Sequence, residues 1–136
     1  MFDFDCRQDP ILWMRLTGEV TEEDDADYAE ALAMLAARRR PFGLVNLVDI
    51  CGGSAILSLR RRQAIWFKAE RDKLARLCVG LVRVRPKLSP THAEEDKLAQ
   101  VLPFPTALVT NEREGQRLIE AWVAAREDLE HREPTR

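Results

Sequence analysis

Between Gly52 and Trp66 the sequence places two adjacent glycines, two serines, three consecutive arginines and a tryptophan. Arginine presents a rigid fork of donors that matches carboxylate and phosphate, and tryptophan supplies a large apolar anchor. Arg60, Arg61, Arg62 and Trp66 therefore have the chemistry of surface recognition. A helix starting near Leu57 or Ser58 puts the three cations in its first turn, opposed to the helix dipole. Exposed backbone N–H groups beside them would make that end attractive to an anion. The plainer alternative is a solvated or salt-bridged face, with Glu70 or acids elsewhere as partners. Ile65, Trp66 and Phe67 span too wide an arc to share one buried stripe, so a neighbouring element covers them or part of that surface belongs to an interface.

Just upstream, Cys51-Gly52-Gly53-Ser54 follows an apolar run and has the character of a loop at the carboxyl end of a strand. Open α/β sheets bind ligands there, and glycines allow close backbone approach. The spacing matches neither GxGxxG nor GxxxxGK[ST], which favours a sharp structural turn over a nucleotide cradle. Glu22-Glu23-Asp24-Asp25 resembles a set of paired carboxylates, yet acids at a helix start interact favourably with the dipole and need no catalytic role. Arg38-Arg39-Arg40 has the same explanation at the other end of that helix. His92 and His131 have no nucleophile beside them, and a Ser-His or Cys-His pairing is not indicated. Cys6, Cys51 and Cys78 are odd in number, widely separated and without a CxxC pair, as expected of reduced, buried thiols. Two distant histidines add little to a metal set, so no metal and no cofactor is expected.

The elements that must position these groups follow from pattern. A chain of 136 residues, 46% hydrophobic and 32% charged, is the size and composition of one globular domain. Its net charge of −2, from 21 basic and 23 acidic residues, leaves no global field for nucleic acid. No apolar run approaches the roughly 20 residues of a membrane span. The acidic start, Met1-Phe2-Asp3-Phe4-Asp5, lacks the basic segment of a secretory leader, and a cytoplasmic location is expected.

Phe2, Phe4 and Cys6 alternate with acids, and a second run spans Ile11 to Leu16, with Asp9-Pro10 between as the turn of a hairpin. Thr21 caps a helix predicted to reach Arg39, with Tyr28, Leu32 and Leu35 on its buried face. Leu44 to Ile50 and Cys78 to Val84 read as strands covered on both faces, separated by one long helix from Leu57 or Ser58 to Leu77. Thr91 and Glu94 have capping-box spacing for a short helix to about Leu102. The segment from Phe104 to Thr110 is a last strand. Asn111 then starts a final helix burying Leu118, Ile119, Trp122 and Val123. The fold class is α/β: a single domain over residues 1–127 with a mixed, mostly parallel five-stranded sheet and about four helices, in the order β-β-α-β-α-β-α-β-α. Residues 128–136 form a charged tail expected to fray.

That order and three local strings resemble the SpoIIAA-like superfamily, which includes the STAS domains and anti-sigma-factor antagonists. The strings are Trp13-Met14-Arg15-Leu16-Thr17-Gly18-Glu19-Val20-Thr21-Glu22-Glu23-Asp24, then Val48-Asp49-Ile50, then Phe104-Pro105-Thr106-Ala107-Leu108-Val109-Thr110 leading to Ala121-Trp122. They cover about Ile11 to Ala125 and imply a divergent member. The resemblance implies a non-enzymatic protein-interaction domain, in some members switched by phosphorylation of a serine in an Asp-Ser-Ser-Gly turn after the central strand. Counted from Asp49, that turn falls near Leu57-Ser58-Leu59-Arg60, where only the serine Ser58 is retained. The switch is therefore expected to be absent, with Ser58 capping its helix instead.

The sequence thus predicts a regulatory or interaction module without catalysis. Its binding surface is Ser58, Arg60, Arg61, Arg62 and Trp66, and its partner another protein or a second copy of itself. The alternative is a small apolar or anionic ligand held in a cleft near Gly52 and Gly53. Nucleic acid and a membrane span are not expected.

Overall fold

The hairpin forms because Phe2 and Phe4 fall on the same face as Leu16 and Met14. In the computed structural model, which describes residues 1–87 and 102–132, β1 (Phe2–Gln8) pairs antiparallel with β2 (Ile11–Gly18), with Phe2 opposite Leu16 and Phe4 opposite Met14. The chain continues through α1 (Glu22–Ala37), β3 (Phe42–Ile50), α2 (Ile56–Ala69), α3 (Arg71–Leu77), β4 (Cys78–Val84), β5 (Thr106–Val109) and α4 (Glu112–Arg132). The sheet runs β1-β2-β3-β4-β5 in chain order, with β2 through β5 mutually parallel and the hairpin strand β1 at one edge. The predicted helix from Thr91 and Glu94, and His92 within it, lie outside the described residues. α4 extends through Arg132, into the stretch the sequence assigns to a tail.

Two apolar layers result from strands whose alternate residues face opposite sides. On one side Leu12, Met14, Leu16, Leu44 and Leu81 meet Tyr28, Leu32 and Leu35 of α1 with Leu59 and Leu74 from α2 and α3. On the other, Trp13, Val45, Leu47, Val82 and Val84 meet Ile119 and Val123 of α4. α4 lies close to the strands there, with Gly80 under the ring of Trp122.

Both ends of α1 are set by side chains. Thr21 Oγ1 accepts from the Asp24 N–H at 3.2 Å while the Asp24 carboxylate accepts from the Thr21 N–H at 3.0 Å, a reciprocal capping box. The helix ends at Ala37 rather than Arg39. Arg38 turns extended and closes a two-pronged grip on Asp9 at 2.8 and 2.9 Å, with its guanidinium over the Phe42 ring. The arginine triplet therefore does not complement the last turn. Asn111 caps α4 by accepting the Glu114 N–H at 2.8 Å.

The helix predicted as continuous to Leu77 is two helices. Glu70, at φ −100° and ψ 13°, ends α2 and begins α3. Each half has its own dock. Ser58 and Arg62 of α2 bond to Asp25 of α1, while Lys73 of α3 donates to the Ala36 carbonyl and the Arg76 carbonyl accepts from Arg126 of α4.

Candidate functional site

The glycine loop is stitched to the turn after β2. The Gly52 carbonyl accepts the Val20 N–H at 2.8 Å, the Gly18 carbonyl accepts the Cys51 N–H at 3.0 Å, and the Val20 carbonyl accepts the Ala55 N–H at 3.2 Å. Gly52 and Gly53 adopt φ of +122° and +128°, conformations that side-chain-bearing residues rarely enter. Neither lines the neighbouring cleft, whereas Ile50 and Ile56 on either side of the loop do. Their geometry is that of a tight structural turn, and the cleft expected at the glycines lies beside them.

α2 starts at Ile56 with Ala55 as its N-cap and no side-chain cap bond. Two sequence expectations change as a result. Ser58 is not the cap; it lies inside the helix and donates its hydroxyl to Asp25 Oδ2 at 2.7 Å. The arginines stand in the second turn, clear of the positive end of the dipole. At about 100° per residue three consecutive side chains cannot share a face, and they do not. Arg62 turns to α1 and holds Asp25 at 3.0 Å. Arg60 leans over a cleft on the sheet side, and Arg61 points outward.

Trp66 also departs from the predicted binding surface. Its ring is half-buried against the core under α1 and α2, in edge-to-face contact with Phe67 at 5.2 Å. Its Nε1–H is buried without a hydrogen-bond partner among the described residues. The outward face of α2 is instead Leu57, Arg61, Ala64, Ile65 and Lys68, all exposed, with Leu57 at 77% and Ile65 at 63%. Their spacing was legible as one helical arc, but only the observed helix start and partners tell which arc faces solvent.

Beside α2 lies a cleft of about 340 Å³ at the carboxyl ends of β2, β3 and β4. Phe2, Leu16, Val48, Ile50, Ile56 and Leu59 form its apolar wall, and Asn46, Gln63, Arg60, Arg83 and Arg85 supply polar groups. Tyr28 is buried at its back, where desolvation pushes the phenol well above its ordinary range against a hydrogen bond with Gln63. Arg85 donates to the Asn46 and Val84 carbonyls at 3.3 and 3.2 Å. The sequence reading overlooked Asn46, Arg83 and Arg85, because their convergence depends on the pairing of β3 with β4.

Elsewhere the chemistry is structural. Asp5 is buried and accepts Arg7 Nη2 at 2.7 Å, Arg7 Nε at 3.0 Å and the Arg7 N–H at 2.9 Å, with Arg15 at 3.5 Å. The Arg7 bonds hold its carboxyl far below the usual carboxylate range. Arg38 lowers Asp9, and Arg62 lowers Asp25, in both cases against burial. At Asp24 burial is the largest influence and raises the pKa. The Thr21 bonds and the N-terminal ammonium outweigh it and leave Asp24 lowered. All four folded pKa values lie below the unfolded value, so the unfolded chain binds more protons as acid is added. The stability they confer is complete above about pH 5 and falls as pH drops through the unfolded value toward the folded ones. Urea unfolding should therefore show a lower midpoint at pH 3 than at pH 6. Equal midpoints would remove these carboxylates as determinants.

Cys78 is buried, and desolvation pushes its thiol up to about 12, but Cys6 and Cys51 are exposed, contrary to the expectation of three buried thiols. The difference arises because Cys6 lies on edge strand β1 and Cys51 in the glycine loop. Among the described residues no three His, Cys, Asp or Glu side chains gather as a metal-binding group, and no helix is long and apolar enough to cross a membrane.

No protein-family model matches the sequence, and no curated protein matches it. Among solved structures the chain is similar to an uncharacterized protein of the DUF3478 family with a SpoIIAA-like fold from Shewanella loihica PV-4. The TM-score is 0.59 at 15% identity, over 88% of this chain and 92% of that one. The fold is SpoIIAA-like, as the strings in β2, β3 and β5 imply.

Proposed function

We propose that this SpoIIAA-like chain is a non-catalytic interaction module that docks a partner protein on the outward face of α2. The observation that carries this reading is the exposed stripe Leu57, Arg61, Ala64, Ile65 and Lys68, on a helix with no acidic residue between Ile56 and Ala69. Protein interfaces combine an apolar centre with a polar rim, and Leu57 and Ile65 framed by Arg61 and Lys68 supply that combination. The partner it fits carries acids around an apolar centre, and a second copy of this chain is the other occupant to distinguish.

Of the residues singled out by sequence, Arg61 stays on the docking face and Arg60 stands at its edge. Ser58, Arg62 and Trp66 support the helix from beneath. Regulation without a phosphoserine switch is supported by Ser58 being held on Asp25, with Leu57, Leu59 and Arg60 in place of the switch residues.

Native mass spectrometry of the protein purified from its own cells should show a bound protein or a dimer. A variant combining Arg61→Glu with Ile65→Asp should lose that association by roughly tenfold or more. Its unfolding free energy should stay within about 0.5 kcal/mol, as for exposed positions generally. An association that survives both changes would refute the assignment of this face.

A further inference from the structure

The residues of α2 divide into faces one helical step apart, and one of these faces is bonded to α1. Ser58 and Arg62 are four apart and so lie on one side, and each directly follows a member of the exposed stripe, Leu57 and Arg61. Leu59, one step further round, is the buried residue of α2 among those described. Turning the helix by a single step of about 100° would therefore trade the stripe for the bonded side. Apolar contact is non-directional and sets such a rotation only loosely. Ala55, the N-cap, makes no side-chain bond that would fix it at the start.

Directed bonds run instead to one carboxylate of α1. Asp25 Oδ2 accepts the Ser58 hydroxyl at 2.7 Å and Arg62 Nη2 at 3.3 Å, and Oδ1 accepts Arg62 Nε at 3.0 Å. The Asp25 side chain is only 13% exposed, so these charge-assisted bonds are less screened than those of a surface pair. Asp25 is itself held in the first turn of α1, where its N–H donates to the Thr21 carbonyl at 3.1 Å. Gln63 adds a bond to Tyr28 of the same helix, but between neutral groups.

We infer that Asp25 is the positioning residue of the docking face: it clasps Ser58 and Arg62 from α1 and so sets the rotation of α2 that turns Leu57, Arg61 and Ile65 outward. The inference rests on the reading of that face as a docking surface, and Asp25 acts on it through α2, from another helix. The clasp also takes up the charge of Arg62, which leaves Arg61 and Lys68 as the cations of the face. Loss of the clasp should loosen α2 while the sheet stays ordered.

Two measurements on the full chain test this without a partner. In hydrogen exchange, Asp25→Ala should speed the amides of Ile56–Ala69 by about tenfold, and those of β3 and β4 by clearly less. Arg62→Ala removes the ionic bonds from the other side and should act similarly. Added to Asp25→Ala it should change little more. Gln63→Ala, which removes the neutral bond, should do clearly less than either. For the rotation itself, nitroxides on the exposed Cys6 and on Ile65→Cys report a distance by pulsed electron resonance, in a Cys51→Ser background where Cys78 stays buried. The distance distribution should be narrow with Asp25 in place and broad or shifted in Asp25→Ala. The inference is overturned if α2 exchanges no faster, if α2 and the sheet speed up by the same factor, if Gln63→Ala loosens α2 as much, or if the distance distribution does not change. Association of the Arg61→Glu/Ile65→Asp variant tests the docking face separately, so a face that binds nothing would sink that reading and leave these results to decide Asp25.

Discussion

Gly53→Ala should destabilise the protein by roughly 3 kcal/mol or more, the sum of a backbone cost and a collision. Gly53 sits at φ +128°, and a Cβ there would lie 2.3 Å from both the N and the O of Val20. These are backbone atoms, so no rotamer change relieves the contact. The Val20 N–H and carbonyl bond to the Gly52 carbonyl and the Ala55 N–H, and moving the segment aside strains those bonds too. Gly52→Ala is the internal control. It has a similar φ of +122° but open space around the added Cβ, so it should show the backbone cost of about 1–3 kcal/mol alone. Urea unfolding of the two variants isolates the collision. If Gly53→Ala proves no worse than Gly52→Ala, the close approach of the glycine loop to Val20 is not a determinant of stability.

Trp66→Ala should cost about 3 kcal/mol of folding free energy, the low end for truncating a buried tryptophan, because part of the ring remains exposed. The ring packs on the core and edge-on to Phe67, so removing it forfeits that burial and leaves a void beneath α2. Trp66→Phe should cost clearly less, since it keeps an aromatic body there and discards the Nε1–H that has no partner among the described residues. Association through the α2 face should be unchanged in Trp66→Phe. Unaltered stability in Trp66→Ala, together with lost association, would return Trp66 to the docking surface.

What the sequence by itself determined is the part of the fold carried by short-range pattern. Alternation marks the first strand, and it holds from Phe2 to Phe4 but reverses at Asp5, which is buried, and Cys6, which is exposed, next to the register shift of β1; the apolar runs before Ile50 and through Val84 mark strands covered on both faces. Thr21 before four acids, and Asn111 before Glu114, mark helix starts whose cap bonds form as expected. Those signals are local because the hydrogen bonds that produce them span only a few residues.

Tertiary structure decided everything that depends on where one element lies against another. No glycine or proline announces the break at Glu70. The two halves on either side of it bond to different neighbours, α2 to α1 through Asp25 and α3 to α1 and α4 through Ala36 and Arg126. Arg60, Arg61 and Arg62 read as one cationic cluster, but 100° steps and the position of Asp25 send them to a cleft, to solvent and to α1 respectively. Asn46 and Arg83, 37 positions apart, become one feature only because β3 and β4 pair in parallel with a particular register. A shift of one residue in that register would no longer set them opposite each other. Side-chain identity is written in the chain, but the direction a side chain faces is set by packing, and this candidate site is made of directions.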